Sequence, residues 1–200
     1  MTTAELTALL ALATATSFTP GPNTTLSASL GAQGGVRFAL PFVLSVPVGW
    51  SLLLALCVLG LGAVVREVPA LRLAITVAGV GYLLWLAWRL ATRATLPAAG
   101  ERPLVGFWGG VALQFLNIKA WFLALAMTAG WIAGQPDAFT RWLVVWPILA
   151  AFAFTSNLSY AWLGSALNAW LGHGSRLQAF NRTMALVLIL TAGWLWHSAT

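Results

Sequence analysis

The chain has 200 residues, 60% of them hydrophobic and only 7% charged, with a mean hydropathy of +0.87. So few charges exclude a soluble globular domain and point to a polytopic membrane protein. The net charge of +6 rests on nine arginines scattered singly and one lysine, which reads as an orientation signal and not as a nucleic-acid surface.

The first predicted span covers about 4–28, close to the length needed to cross the hydrocarbon. It opens on Met1-Thr2-Thr3-Ala4-Glu5, without a basic n-region, so it is expected to be retained as a span and not removed as a leader. Thr19-Pro20-Gly21-Pro22-Asn23 interrupts it. Two prolines flanking a glycine remove two backbone donors, so the helix is not expected to pass through unaltered. In hydrocarbon, irregular backbone is tolerated where it is buried in protein or lines a wet cavity. The half-helix starting near Asn23 would then offer an N-terminus to a carboxylate; the alternative is a kink that only shapes packing.

Gly31-Ala32-Gln33-Gly34-Gly35 with Arg37 marks the first connection. The second span, about 39–64, holds Cys57, the only cysteine, so neither an intramolecular disulfide nor a thiol relay is available. The third span covers about 71–91 and the fourth about 104–132. Span four contains Gln114, Asn117 and Lys119. A charged residue at mid-span costs about 2.5–3.5 kcal/mol and tends to face a protein interior or a polar cavity; the alternative is a lysine snorkelling to an interface. On a regular helix Lys119 points away from Gln114 and Asn117, so either the helix unwinds there or the polar groups address two surfaces. The fifth span, about 139–163, and the sixth, about 182–199, complete the chain. Ser156, Asn157 and Tyr160 on span five and Tyr82 on span three are weaker candidates for the same cavity, since such residues equally serve as interhelical hydrogen bonds. Asn181, beside Arg182, reads as a helix start. Gly31/Gly35, Gly106/Gly110 and Gly130/Gly134 read as packing positions. The isolated His173 and His197 make neither a metal site nor a haem pair, and no cofactor is expected.

Arg37, Arg89, Arg93, Arg102, Arg176 and Arg182 flank connections one, three and five, against Arg66, Arg72 and Arg141 at two and four. The positive-inside rule then places both termini outside. Trp88, Trp108 and Trp170 read as inner interfacial anchors, and Trp131, Trp142, Trp194 and Trp196 as outer ones. Spans one and four are broken at similar depth, about half the chain apart, with three spans per half. This is the arrangement of a 3+3 inverted-topology repeat, in which transporters place their site at the midplane.

These residues resemble the LysE/RhtB family of bacterial amino-acid exporters over nearly the whole chain. The resemblance is carried by Thr19 to Asn23 with Gly31 to Arg37, by Gly79-Val80-Gly81-Tyr82-Leu83-Leu84-Trp85-Leu86-Ala87-Trp88-Arg89, and by Phe107 to Trp121. Ile118 stands where the family has a proline, which leaves open how sharply span four breaks. Ala112 to Lys119 looks most like the cysteine and O-acetylserine exporter branch. The resemblance implies six spans, export from the cytoplasm, coupling to the proton-motive force, and Pro20, Gly21, Pro22, Asn23, Gln114, Asn117 and Lys119 as site residues.

The expectation is therefore an all-α, six-span protein of the bacterial inner membrane, a single membrane domain over 1–200 with halves of about 1–92 and 103–200. It would export a small neutral amino acid, cysteine- or O-acetylserine-like or threonine- or homoserine-like. Its partners would be that substrate, membrane lipid and coupling protons; the sequence leaves its oligomeric state open. The alternatives are a passive channel and a structural membrane partner. An intramembrane protease is disfavoured, because Ser165 and His173 do not match in depth.

Overall fold

The computed structural model describes residues 1–98 and 100–199. Ala99, in the predicted third connection, and Thr200, at the end of the predicted domain, lie outside it. Among the described residues every regular element is helical: α1 (Thr3–Phe18), α2 (Pro22–Val58), α3 (Leu61–Glu67), α4 (Pro69–Ala91), α5 (Phe107–Leu116), α6 (Ile118–Trp131), α7 (Ala138–Ala166), α8 (Asn168–Leu171) and α9 (Arg176–Ala199). Of these, α2, α4, α7 and α9 are long and apolar enough to cross a membrane, and α5 with α6 make a fifth if taken as one bent span.

A capping box starts α1: Glu5 N–H donates to Thr2 Oγ1 at 3.2 Å and Thr2 N–H to the Glu5 carboxylate at 2.6 Å, which satisfies two orphan amides. The helix stops at Phe18, after 16 residues, because Thr19 is extended and Pro20 cannot continue it. The chain restarts with Pro22 as the first residue of α2, where its missing N–H is not needed. The predicted first connection is not a loop. Helix runs through Gly31–Gly34 and turns at Gly35, whose φ of 80° and ψ of 177° lie where a Cβ is strained. So α2 is a half-helix, a kink and then a full span. The predicted second span ends earlier than expected, at Val58, and the turn at Leu59–Gly60 leads into α3. Asn181 is no helix start: it lies fully buried inside α9 and donates to Arg93 O at 3.0 Å.

The half-helix of α2 runs parallel to the last part of α7 at a distance only small residues allow. A Cβ on Gly31 would collide with the Ala161 carbonyl, and one on Gly164 with the Ala28 carbonyl. Ser27–Asn157 and Asn168–Ala32 hydrogen bonds, both 2.7–2.8 Å, extend the same seam. Gly31→Ala should therefore force the helices apart and lower the unfolding free energy by about 1–3 kcal/mol. Thermal unfolding of purified protein in detergent checks this; an unchanged midpoint would mean the seam yields freely. Of the other expected packing glycines, Gly110 sits against Ser45 and Phe42 of α2, whereas Gly106, Gly130 and Gly134 have open space.

Two ion-pair networks lie at opposite ends of α7, whose 29 residues span about 43 Å at 1.5 Å per residue. At its start Arg141 bonds Asp137 at 2.8 Å and Glu5 at 3.0 Å, and Trp131 Nε1 donates to Glu5 O at 3.0 Å. Beyond its end Arg93 pairs with Glu101 and donates to the buried Gln33 Oε1 at 2.8 Å, while Asn168 donates to Gln33 O at 3.1 Å. The start of α1 and the α6–α7 connection thus share one face, and the Gly35 kink with the α4–α5 connection share the other. The Arg141 guanidinium holds the Asp137 carboxyl below the usual carboxylate range. The stabilisation from this pair is complete above the ordinary carboxylate pKa and is lost as pH falls through the lowered one.

Candidate functional site

Both helix breaks open on one cavity. Its volume is about 750 Å³ counting its open mouth, and it is lined by the end of α1 (Thr16, Ser17), the break (Thr19 to Pro22), the start of α2 (Asn23, Thr24), Val46 and Trp50 farther along α2, α6 from Lys119 to Met127, Asn117, and α7 from Leu149 to Asn157. The second break is at Asn117, extended at φ −95° and ψ 96°, and the α5 and α6 axes differ by 73° across it. A proline is not required for so sharp a break. Ile118 keeps its N–H and begins α6, as a first-turn residue needs no intrahelical acceptor.

The break also resolves the facing of the polar residues on span four. With the helix unwound at Asn117, Asn117 and Lys119 reach the same cavity, whereas Gln114 does not line it. Gln114 is fully buried and forms a reciprocal amide pair with Asn23: Asn23 Nδ2 donates to Gln114 Oε1 and Gln114 Nε2 to Asn23 Oδ1, each at 3.0 Å. Its remaining amide proton goes to Gly110 O at 3.1 Å. Gln114 therefore ties one break to the other and has no donor left for a ligand. Asn117 is the opposite case. Its side chain is 8% exposed, it does not cap α6, and its Oδ1 has no hydrogen-bond partner. An unmet buried acceptor carries a desolvation cost that a ligand donor would remove.

The N-terminal turns of α2 and α6 both border the cavity. Asn23 and Thr24 in one, and Ile118 and Lys119 in the other, carry amides without carbonyls one helical turn back. Thr24 Oγ1 accepts from Gly21 N–H at 2.9 Å, fixing the entry of the chain into α2. The two N-termini and the Lys119 ammonium make one region of positive potential, bordered by hydroxyls of Thr16, Ser17 and Ser156. Asn157 lies on the wall; its Oδ1 accepts from Ser27 at 2.8 Å and its amide donates to Ala153 O at 2.8 Å. Tyr160 lies off the cavity and donates to Phe18 O at 2.9 Å, bracing the end of α1. Tyr82 is also elsewhere, stacked on Trp85.

A second cavity of about 770 Å³ adjoins the first and shares Pro20, Gly21, Pro22, Asn117 and Lys119 with it, but its remaining wall is α9, from Val187 to Leu195. There the Lys119 ammonium lies 4.9 Å from the centre of the Trp194 ring. The ring of Trp194, read from the sequence as an outer interfacial anchor, covers the lysine. Among the described residues, no group of His, Cys, Asp and Glu is placed to hold a metal ion.

The model of the LysE type translocator family matches residues 14–199. The chain belongs to this family. LysE type translocators are transporters and not enzymes, and the apolar helices fit a protein that crosses a membrane several times. Curated relatives include a cysteine/O-acetylserine efflux protein of Salmonella typhimurium (strain LT2), 31% identical over 88% of this chain and 90% of the relative. A cysteine/O-acetylserine efflux protein of Escherichia coli (strain K12) is 28% identical over 96% and 97% of the two chains. No solved structure matches significantly.

Sequence reasoning missed Thr16, Ser17 and Thr24. Hydroxyls in an apolar helix bond routinely to their own backbone, as Thr16 does to Leu12 O at 2.7 Å, and composition does not separate that use from a cavity wall. Their closeness to Pro20 is the one available signal.

Proposed function

We propose that this translocator exports small neutral amino acids or their derivatives across a bacterial cytoplasmic membrane by alternating access. The carrying observation is the chamber where two helix breaks meet, with two N-termini, Lys119 and the unpartnered Asn117 Oδ1 around one space. A zwitterion suits it. Its carboxylate would take the N-termini and Lys119, and its ammonium would donate to Asn117 Oδ1 and the loose carbonyls of the break. Pro20, Gly21, Pro22 and Asn23 supply that break, and Asn157 supplies wall. Glu5, Glu67, Glu101 and Asp137 are all paired with arginines and none lines the chamber, so a cationic side chain would find no counter-charge. The names of the relatives make cysteine and O-acetylserine the first substrates to test.

Six spans in a 3+3 inverted repeat fit the element order. Span one would be α1 with the half-helix of α2, and span four α5 with α6. The half-helix after the first break packs on α7, the second span of the other half. The arginine bias would put both termini outside. Reporter fusions in each connection should then give an outside signal at Gly134–Asp137 and an inside signal at Arg93–Pro103; the reverse would overturn the orientation.

Coupling to the proton-motive force fits export against a gradient. With no carboxylate lining the chamber, Lys119 or the substrate itself would carry the proton. The deciding experiment is efflux from preloaded vesicles for a panel of amino acids, with and without a proton gradient. Saturable efflux of cysteine, O-acetylserine or threonine, with lysine and arginine retained, is the expected result. Non-saturating movement would indicate a channel, and no movement a structural partner.

A further inference from the structure

Lys119 is the second residue of α6, and at a helix N-terminus a cation is repelled by its own helix. The acids lie at helix ends or, as Glu101 does, in a connection, and all are engaged with arginines. What the ammonium faces instead is the indole of Trp194, at 4.9 Å, and an aromatic face attracts a desolvated cation. Trp194 stands on α9, which lines the second cavity and contributes nothing to the first; Lys119 lines both. The long lysine stem therefore has two destinations, one aromatic and one where the substrate carboxylate is placed.

We propose that Trp194 is a positioning residue that holds the Lys119 ammonium in the empty transporter and competes with the substrate carboxylate for it, an inference that rests on the export reading above. An exporter must release what it binds. A carboxylate held by an ammonium with no other partner would leave slowly, whereas an indole that takes the ammonium back favours release. Trp194 thus weakens binding and speeds turnover.

The test uses full-length Trp194→Leu and Trp194→Phe, with Trp162→Leu as control, since Trp162 is exposed on α7 and lines neither cavity. Lys119 is the only lysine, so a membrane-permeant N-hydroxysuccinimide ester acylates it uniquely apart from the chain terminus, and peptide mass spectrometry separates the two. Without substrate, acylation of Lys119 should be roughly five-fold faster in Trp194→Leu, intermediate in Trp194→Phe and unchanged in the control. In vesicle efflux of O-acetylserine, KM and kcat should both fall by roughly five-fold in Trp194→Leu, with Trp194→Phe restoring part of each. Unchanged acylation in Trp194→Leu overturns the contact. A raised KM overturns the competition and places the indole against substrate. A lower kcat with KM and acylation unchanged reduces Trp194 to packing and overturns the proposal too. If Trp194→Leu does not fold, Trp194→Phe carries the same readouts at smaller amplitude. Absence of saturable efflux from the wild type would sink the export reading and the competition with it, while acylation would still decide the Lys119–Trp194 contact separately.

Discussion

Replacing Lys119 with methionine should lower substrate efflux by about 100-fold while leaving the folded yield intact or improved. Removing one partner of a desolvated charge pair costs about 2–5 kcal/mol, and 1.36 kcal/mol is tenfold in rate. Folding moves the other way, because methionine fills the same channel of space without bringing a charge into hydrocarbon. Lys119→Arg should rescue only part, since the planar guanidinium keeps the charge but not the reach. The measurement is efflux normalised to folded protein for the two variants and wild type. Wild-type rates in Lys119→Met would remove the lysine from the substrate site, and poor folding with normal specific transport would make it structural.

The second large effect is expected at the first break. Pro22 sits at the first position of α2, where alanine is nearly equivalent, so Pro22→Ala alone should matter little. Pro20 is the residue that forbids continuation from α1. With both replaced, two backbone donors return and a continuous helix from Thr3 into α2 becomes accessible. The N-terminus of α2 would then no longer point at the cavity. Efflux should drop by about 100-fold, the scale of a misplacement of about 1 Å at a reacting or binding group. Normal efflux from a well-folded double variant would leave the break as a packing kink.

Hydropathy locates α4 and α7 well, since long apolar runs bounded by breakers have few other solutions in a bilayer, but it sets the start of α9 too late, at Asn181 in place of Arg176. Two features of the site were legible for covalent reasons: the Pro-Gly-Pro sequence, which no helix accommodates, and the lone lysine, which hydrocarbon penalises. The rest depends on tertiary pairing. Asn117 takes an extended conformation without any proline to impose it, and the Asn23–Gln114 pair joins residues 91 apart in sequence. The kink at Gly35 reads as a loop in sequence because glycine-rich polar segments look alike in both settings. Lys119 over Trp194 was invisible for a similar reason: nothing local to either residue specifies the other.

The Asn23–Gln114 pair has a consequence for leakage. A chain of waters conducts protons only if each link both donates and accepts. Gln114 has spent both amide protons, one on Asn23 and one on Gly110 O, and its oxygen accepts from Asn23. Fully buried on α5, it offers a water no free donor, so it cannot serve as a link in such a chain.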